Sequence, residues 1–246
     1  MQRTLKYFSS LILCIFVSSA QAKKPTKAKE INNAPFFNGI TVQADVASVA
    51  GSLLSKGGTY SYEGAVQADF KHKLFPTIEL GYAGANKISI ENNEFKGNGP
   101  FGRIGVDLNI ITPKKDSKPT NNLFLVGLRL GMTNFKYNIS NMSITDNYWG
   151  GSQIVPFNNL VSTKVWYEIA VGIRVEVIKD IFMGWSIRSK TLISQDVAGN
   201  ATPWYIPGYG VNGASNFGIN YTIGFKFNVP HTTKVAINNT VIKQTK

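Results

Sequence analysis

The sequence predicts an all-β fold: an eight-stranded antiparallel up-and-down transmembrane β-barrel with short periplasmic turns and long external loops. Three observations carry that expectation. Residues 217–229 alternate, with Phe217, Ile219, Tyr221, Ile223, Phe225, Phe227 and Val229 on one face and Gly218, Asn220, Thr222, Gly224, Lys226 and Asn228 on the other. That is the period of a strand with one apolar and one polar side. Seven further segments repeat the pattern behind an export signal. The connections alternate in length, as they must when antiparallel strands send successive connections to opposite ends of a barrel.

Residues 1–22 read as the signal: Arg3 and Lys6 supply the positive start, residues 11–17 the apolar run and Ala20-Gln21-Ala22 the small-residue cleavage site. Cys14, the only cysteine, falls inside that segment, and the bulky Leu13 before it is wrong for lipid attachment. Residues 23–37, with Lys23, Lys24, Lys27 and Lys29, read as a basic periplasmic linker, residues 38–229 as the barrel and residues 230–246 as a short periplasmic tail. Strands are expected at 39–50, 59–72, 76–86, 101–111, 122–137, 163–177, 181–192 and 216–229. Between them lie a modest loop at 51–58, a tight turn at 73–75, a long loop at 87–100, a polar turn at 112–121, a very long loop at 138–162, a tight turn at 178–180 and a long loop at 193–215. No later segment offers the roughly 18 uninterrupted apolar residues of a membrane helix.

Without the signal the chain holds 24 basic and 14 acidic residues, a net +10. A nucleic-acid partner is not expected, because the lysines gather in the linker and at Lys114, Lys115 and Lys118 with no basic-aromatic recognition module between them.

Alternation does not say which face points outward, since a soluble lipocalin-like barrel has the same period with its apolar face inside. The polar residues decide. Arg103, Arg129, Arg174 and Arg188 fall on the polar faces with Asp45, Glu63, Asp69, Glu79, Asp107, Glu168 and Glu176, joined by Lys71, Lys190 and Lys226. Seven acids against seven bases, rich in arginine, suit a water-poor lumen in which charges pair in fixed geometry. Glycines on the same faces, such as Gly81, Gly127 and Gly131, leave room for large neighbours. The opposite face, for example Ile104, Val106, Leu108 and Ile110, carries no charge and is expected to meet outer-membrane lipid. Across the turn at 178–180 this parity sets Arg174 opposite Gly184, Arg188 opposite Ala170 and Glu168 opposite Lys190 with Arg188 one diagonal step away. Large then meets small and acid meets base. An eight-stranded barrel filled in this way leaves no open diffusion channel.

Catalytic chemistry finds few agents. His72 and His231, the only histidines, fall at the periplasmic end in this topology, and Asp146 and Asp196 read as turn residues rather than a carboxylate pair. No His/Asp/Glu cluster has metal-ligand spacing and no motif calls for a cofactor. The two longest loops are aromatic, through Tyr148 and Trp149 in one and Trp204, Tyr205 and Tyr209 in the other. Exposed, these residues would form contacts for a protein or glycan partner. Packed, they would form a lid over the barrel mouth, which the rarity of exposed apolar patches favours.

The segments Met183-Gly184-Trp185-Ser186-Ile187-Arg188-Ser189-Lys190, Trp204-Tyr205-Ile206-Pro207-Gly208-Tyr209-Gly210 and Asn216-Phe217-Gly218-Ile219-Asn220-Tyr221 resemble an uncharacterised family of small outer-membrane barrels of Bacteroidota. More generally the chain is similar to the OmpA-type and OmpX-type eight-stranded barrels, though 17 residues follow Val229 where such barrels often end on an aromatic. The resemblance implies a single barrel domain and brings no catalytic residues. The expected function is that of a non-enzymatic component of the outer membrane, an envelope or accessory barrel acting through its external loops. Its rivals are a barrel enzyme acting on lipid or peptide and a soluble periplasmic lipocalin-like carrier.

Overall fold

The computed structural model describes residues 35–54, 58–111, 122–146, 150–194 and 201–229, without the side chains of 54, 144–146, 151 and 152. The expected signal, most of the linker and the tail lie outside these residues. Eight antiparallel strands close into a barrel. They are β1 (Phe37–Asp45), β2 (Thr59–Phe70), β3 (Leu74–Ile88), β4 (Glu94–Asn109), β5 (Leu123–Asp146), β6 (Gly151–Ile178), β7 (Ile181–Leu192) and β10 (Ser215–Asn228), with β10 returning to pair with β1. The short strands β8 (Tyr205–Ile206) and β9 (Gly210–Val211) form a separate hairpin between β7 and β10.

Through the middle of the barrel the strands keep the expected inside-outside alternation. In β4, Phe101, Arg103 and Asp107 are buried, whereas Ile104 between them is 60% exposed. Ile169, Val171 and Ile173 of β6 and Ile219, Ile223 and Phe225 of β10 likewise face out. The outer wall is therefore apolar and the inner wall polar, the reverse of a soluble barrel.

The first strand ends earlier than 39–50 suggests. Residues 46–50 belong to α1 (Val46–Leu54), because Asp45 caps it: its Oδ1 accepts from the Ala47 amide at 3.0 Å and its Oδ2 from the Ser48 hydroxyl at 2.5 Å. Ser52 ties α1 to β2 by accepting from the Ser61 amide at 2.9 Å.

The expected loops at 87–100 and 138–162 are mostly strand. β3 and β4 stay paired out to Ile88 and Glu94, and β5 and β6 out to Asp146 and Gly151, although β4 leaves β5 after Ser140. The β5–β6 hairpin thus rises above its neighbours. Register shifts between Tyr137 and Met142, with Asn141 and Asn159 at positive φ (59° and 56°), break the alternation there. At the other end the turn after β2 is Lys71–Lys73 rather than 73–75, so Lys71 sits in a turn (φ 55°) and not on the inner wall.

Candidate functional site

The interior is built in layers, with the short-turn end taken as the bottom. The middle layer centres on Glu79 of β3. The register sets Glu79 opposite Arg103 of β4, whose Nη1 donates to Glu79 Oε2 at 2.9 Å. Arg129 of β5 donates from Nε to Glu79 Oε1 at 2.7 Å. Arg188 of β7 reaches across the lumen to donate to both oxygens at 2.6 and 3.1 Å. One buried carboxylate thus holds three guanidiniums from three strands. Glu63 adds an ion pair to Arg103 at 2.7 Å and a longer one to Arg188 at 3.4 Å, and Asp107 accepts from Arg129 Nη2 at 3.0 Å. Charges this dry contribute only when paired; stripped of a partner, each would be costly.

Glu168 lies opposite Lys190, as the parity of β6 and β7 requires, and Arg174 opposite Gly184 and Arg188 opposite Ala170 follow the same register. The diagonal contact forms, with Arg188 Nη1 3.5 Å from Glu168 Oε2, but Glu168 and Lys190 take closer partners elsewhere. Glu168 accepts from the Trp166 indole at 2.7 Å and pairs with Arg103 at 2.7 Å, while Lys190 donates to the Gly208 carbonyl at 2.8 Å. Arg103 Nη2 donates to that same carbonyl at 2.7 Å. The β8–β9 hairpin therefore reaches into the mouth and is pinned on the charged layer.

Above the charges lies an apolar layer that the reading by charge missed. Phe95, Phe101, Phe135, Tyr137, Ile139 and Trp166 point inward and pack with Ile206 and Tyr209 of the hairpin. Their positions share the parity of Arg103, Arg129 and Glu168, which was the signal available. Glycines make this layer fit: a Cβ at Gly131 would fall 2.3 Å from the Trp166 ring, and one at Gly81 2.3 Å from Phe101. At Gly208 the backbone also has φ +77° and lies against Phe101.

The external-contact residues are divided. Tyr209, 2% exposed, is buried against Trp166 and is no external contact, while Trp204 stacks on Phe95 at 5.6 Å and Tyr205 packs against the same cluster. Burial pushes the Tyr205 phenol up to about 12. Tyr148 and Trp149 lie outside the described residues.

Below the Glu79 layer the other expected members separate. Arg174 donates to Gln67 Oε1 and lies over Phe75 at 5.8 Å. Gln67, unforeseen, in turn donates to Asp107 at 2.7 Å. Asp69 pairs with Lys226 at 2.7 Å and with His72 Nδ1 at 2.7 Å near the short-turn end. Glu176 sits at the β6–β7 bulge, where its Oε1 accepts from the Asp180 amide at 3.0 Å. Asp45, besides capping α1, accepts from the Asn220 amide group at 2.5 Å. Among the described residues no group of three His, Cys, Asp or Glu side chains has metal-site geometry, and no helix is long and apolar enough to cross a membrane.

These features define a closed eight-stranded β-barrel with a charge-filled interior and a hairpin seated in one mouth. The chain belongs to the family described as the domain of unknown function DUF6048, which matches residues 4–234. Among solved structures, Neisserial surface protein A is 12% identical, with 78% of this chain and 96% of that chain covered and a TM-score of 0.32. No curated protein matches the chain.

Proposed function

We propose that this protein is a non-enzymatic outer-membrane barrel, an envelope or accessory component whose lumen is structural and whose contacts are made at the long-loop end. The observation that carries this reading is the inverted wall. Charges fill the inside, while Ile104, Leu128, Ile169, Ile187 and Ile219 stand exposed around the outside, at 49% to 69%. A lipocalin-like carrier needs the opposite arrangement. Export by the signal at 1–22 accords with this location, and a Bacteroidota source rests on the sequence resemblance alone. The filled lumen speaks against a solute channel. The position of His72 in the turn after β2 speaks against acid–base chemistry at the long-loop rim. A protein or glycan partner would meet the rising β5–β6 hairpin, where Ile154 and Val161 are exposed.

The test is cell fractionation with gel migration: the protein should partition with outer membranes and run faster unboiled than boiled. Val171→Arg should cost about 2 to 4 kcal/mol of folding stability in lipid if it lies near mid-bilayer. Cysteines at Asn92 and Lys179, which lie at opposite ends, should label on intact cells only at Asn92. Recovery as a soluble periplasmic monomer would overturn the reading.

A further inference from the structure

Below the Glu79 layer the lumen holds a cavity of about 40 Å³ lined by Arg129, Arg174, Arg188, Asp107, Ser186 and Thr222. That exceeds the roughly 10–15 Å³ a single water requires. Two of these arginines keep a buried N–H group, Nη1 of Arg129 and Nε of Arg188, with no hydrogen-bond partner among the described residues. The third, Arg174, forms no ion pair within 4 Å among them; its direct partners are the Gln67 carbonyl oxygen and the Phe75 ring, and Asp107 and Asp69 attract it from further away. Asp107, the one carboxylate in the wall, is already engaged by Arg129 and by Gln67. The wall itself carries three guanidiniums and one carboxylate, while Asp45, Glu63, Glu79 and Glu168 lie beyond it with Arg103 and Lys190.

We propose that this cavity binds a single small monovalent anion, of chloride's size, between Arg129, Arg174 and Arg188. A buried guanidinium N–H without an acceptor is costly, and an anion there accepts from the orphaned N–H groups and offsets a wall of three guanidiniums and one carboxylate. The hydroxyls of Ser186 and Thr222 supply neutral donors. A halide fits better than an oxyanion of higher charge, because Asp107 would repel a divalent ion and the apolar wall at Leu125 and Ala170 offers no further donors. The anion would act as a structural part of the lumen.

Crystals of the full-length barrel, grown from detergent and soaked in sodium bromide, test this directly. An anomalous bromide peak is expected in the cavity and should fall to background in Arg174→Gln. In solution, replacing chloride by gluconate at constant ionic strength should lower the wild-type thermal midpoint, because an ion that binds only the folded state stabilises it. The chloride effect should shrink in Arg174→Gln and persist at least in part in Arg174→Lys. Failure of Arg174→Gln to fold would leave the two wild-type measurements decisive. A cavity holding water alone, or a bromide peak with no chloride dependence of stability, would overturn the proposal.

Discussion

The two halves of the lumen are filled by different means. Toward the long-loop end, Trp166, Phe101 and Tyr209 interlock with Gly131, Gly81 and Gly208 above the Glu79 cluster. Toward the short-turn end β6, β2 and β10 supply Arg174, Asp69 and Lys226; a cavity of about 10 Å³ lies among these three and one of about 40 Å³ lies beside Arg174. Close packing excludes water from the first half. The second tolerates it, so pairs of similar length should be worth less there. The barrel is thus sealed at one end by an aromatic layer seated on the charges and closed at the other by a small cluster of Phe75, Leu123 and Leu125 beside looser polar contacts.

The largest expected effect is at Glu79. Glu79→Ala removes the carboxylate shared by three buried guanidiniums, leaving Arg103 and Arg188 with Glu63 and Glu168 and Arg129 with Asp107, and should cost about 3 to 5 kcal/mol, measured by urea unfolding of detergent-folded protein. A loss below about 1 kcal/mol would mean that water already reaches the cluster. Next comes shape. Gly131→Ala forces a Cβ into the Trp166 ring and should cost about 1 to 3 kcal/mol, whereas Gly213→Ala, with nothing within 4 Å, should be nearly silent. Equal effects at both glycines would remove the packing argument. In the lower half, Lys226→Met leaves Asp69 with Asn38, the His72 side chain and the His72 amide, and should cost no more than about 1.5 kcal/mol. A loss as large as that at Glu79 would erase the distinction between the halves.

How much of this could be read from the sequence depended on whether a feature is set by local period or by the path of a distant segment. Strand parity is local, and it gave the β6–β7 register residue for residue, from Glu168 with Lys190 to Arg174 with Gly184. Parity also held the aromatic layer, but faces sorted by charge passed over Trp166 and Phe135. Residues 46–50 were misread because Val46-Ala47-Ser48-Val49-Ala50 shows little contrast at either period, and the Asp45 cap was the only helix signal. Bulges at Asn141 and Asn159 hid the rise of β5 and β6. The partner of Lys190 was beyond reach of any period. It is the Gly208 carbonyl, brought in by a hairpin whose descent depends on Tyr209 and Ile206 finding the aromatic layer.

Among the ion pairs the smallest effect should fall on His72, and it bounds the comparison from below. Its Nδ1 lies 2.7 Å from Asp69 Oδ2, as short as the Lys226 contact to the same oxygen, yet its side chain is 38% exposed against 2% for Asp69. Solvent screens such a pair, so its removal should cost about 0 to 1 kcal/mol. The substitution must respect the backbone. His72 has φ 51°, where alanine would add strain unrelated to the pair, so His72→Asn, which tolerates that region, isolates the side-chain contribution. Its amide still donates to Asp69 Oδ1, as the His72 backbone does at 2.9 Å. With the imidazole protonated, whatever loss His72→Asn produces should fade between low and high salt, whereas that of Glu79→Ala should persist, since screening weakens exposed pairs and spares buried ones. A salt-independent loss above about 2 kcal/mol at His72 would place the short-turn end in the same dry regime as the Glu79 layer.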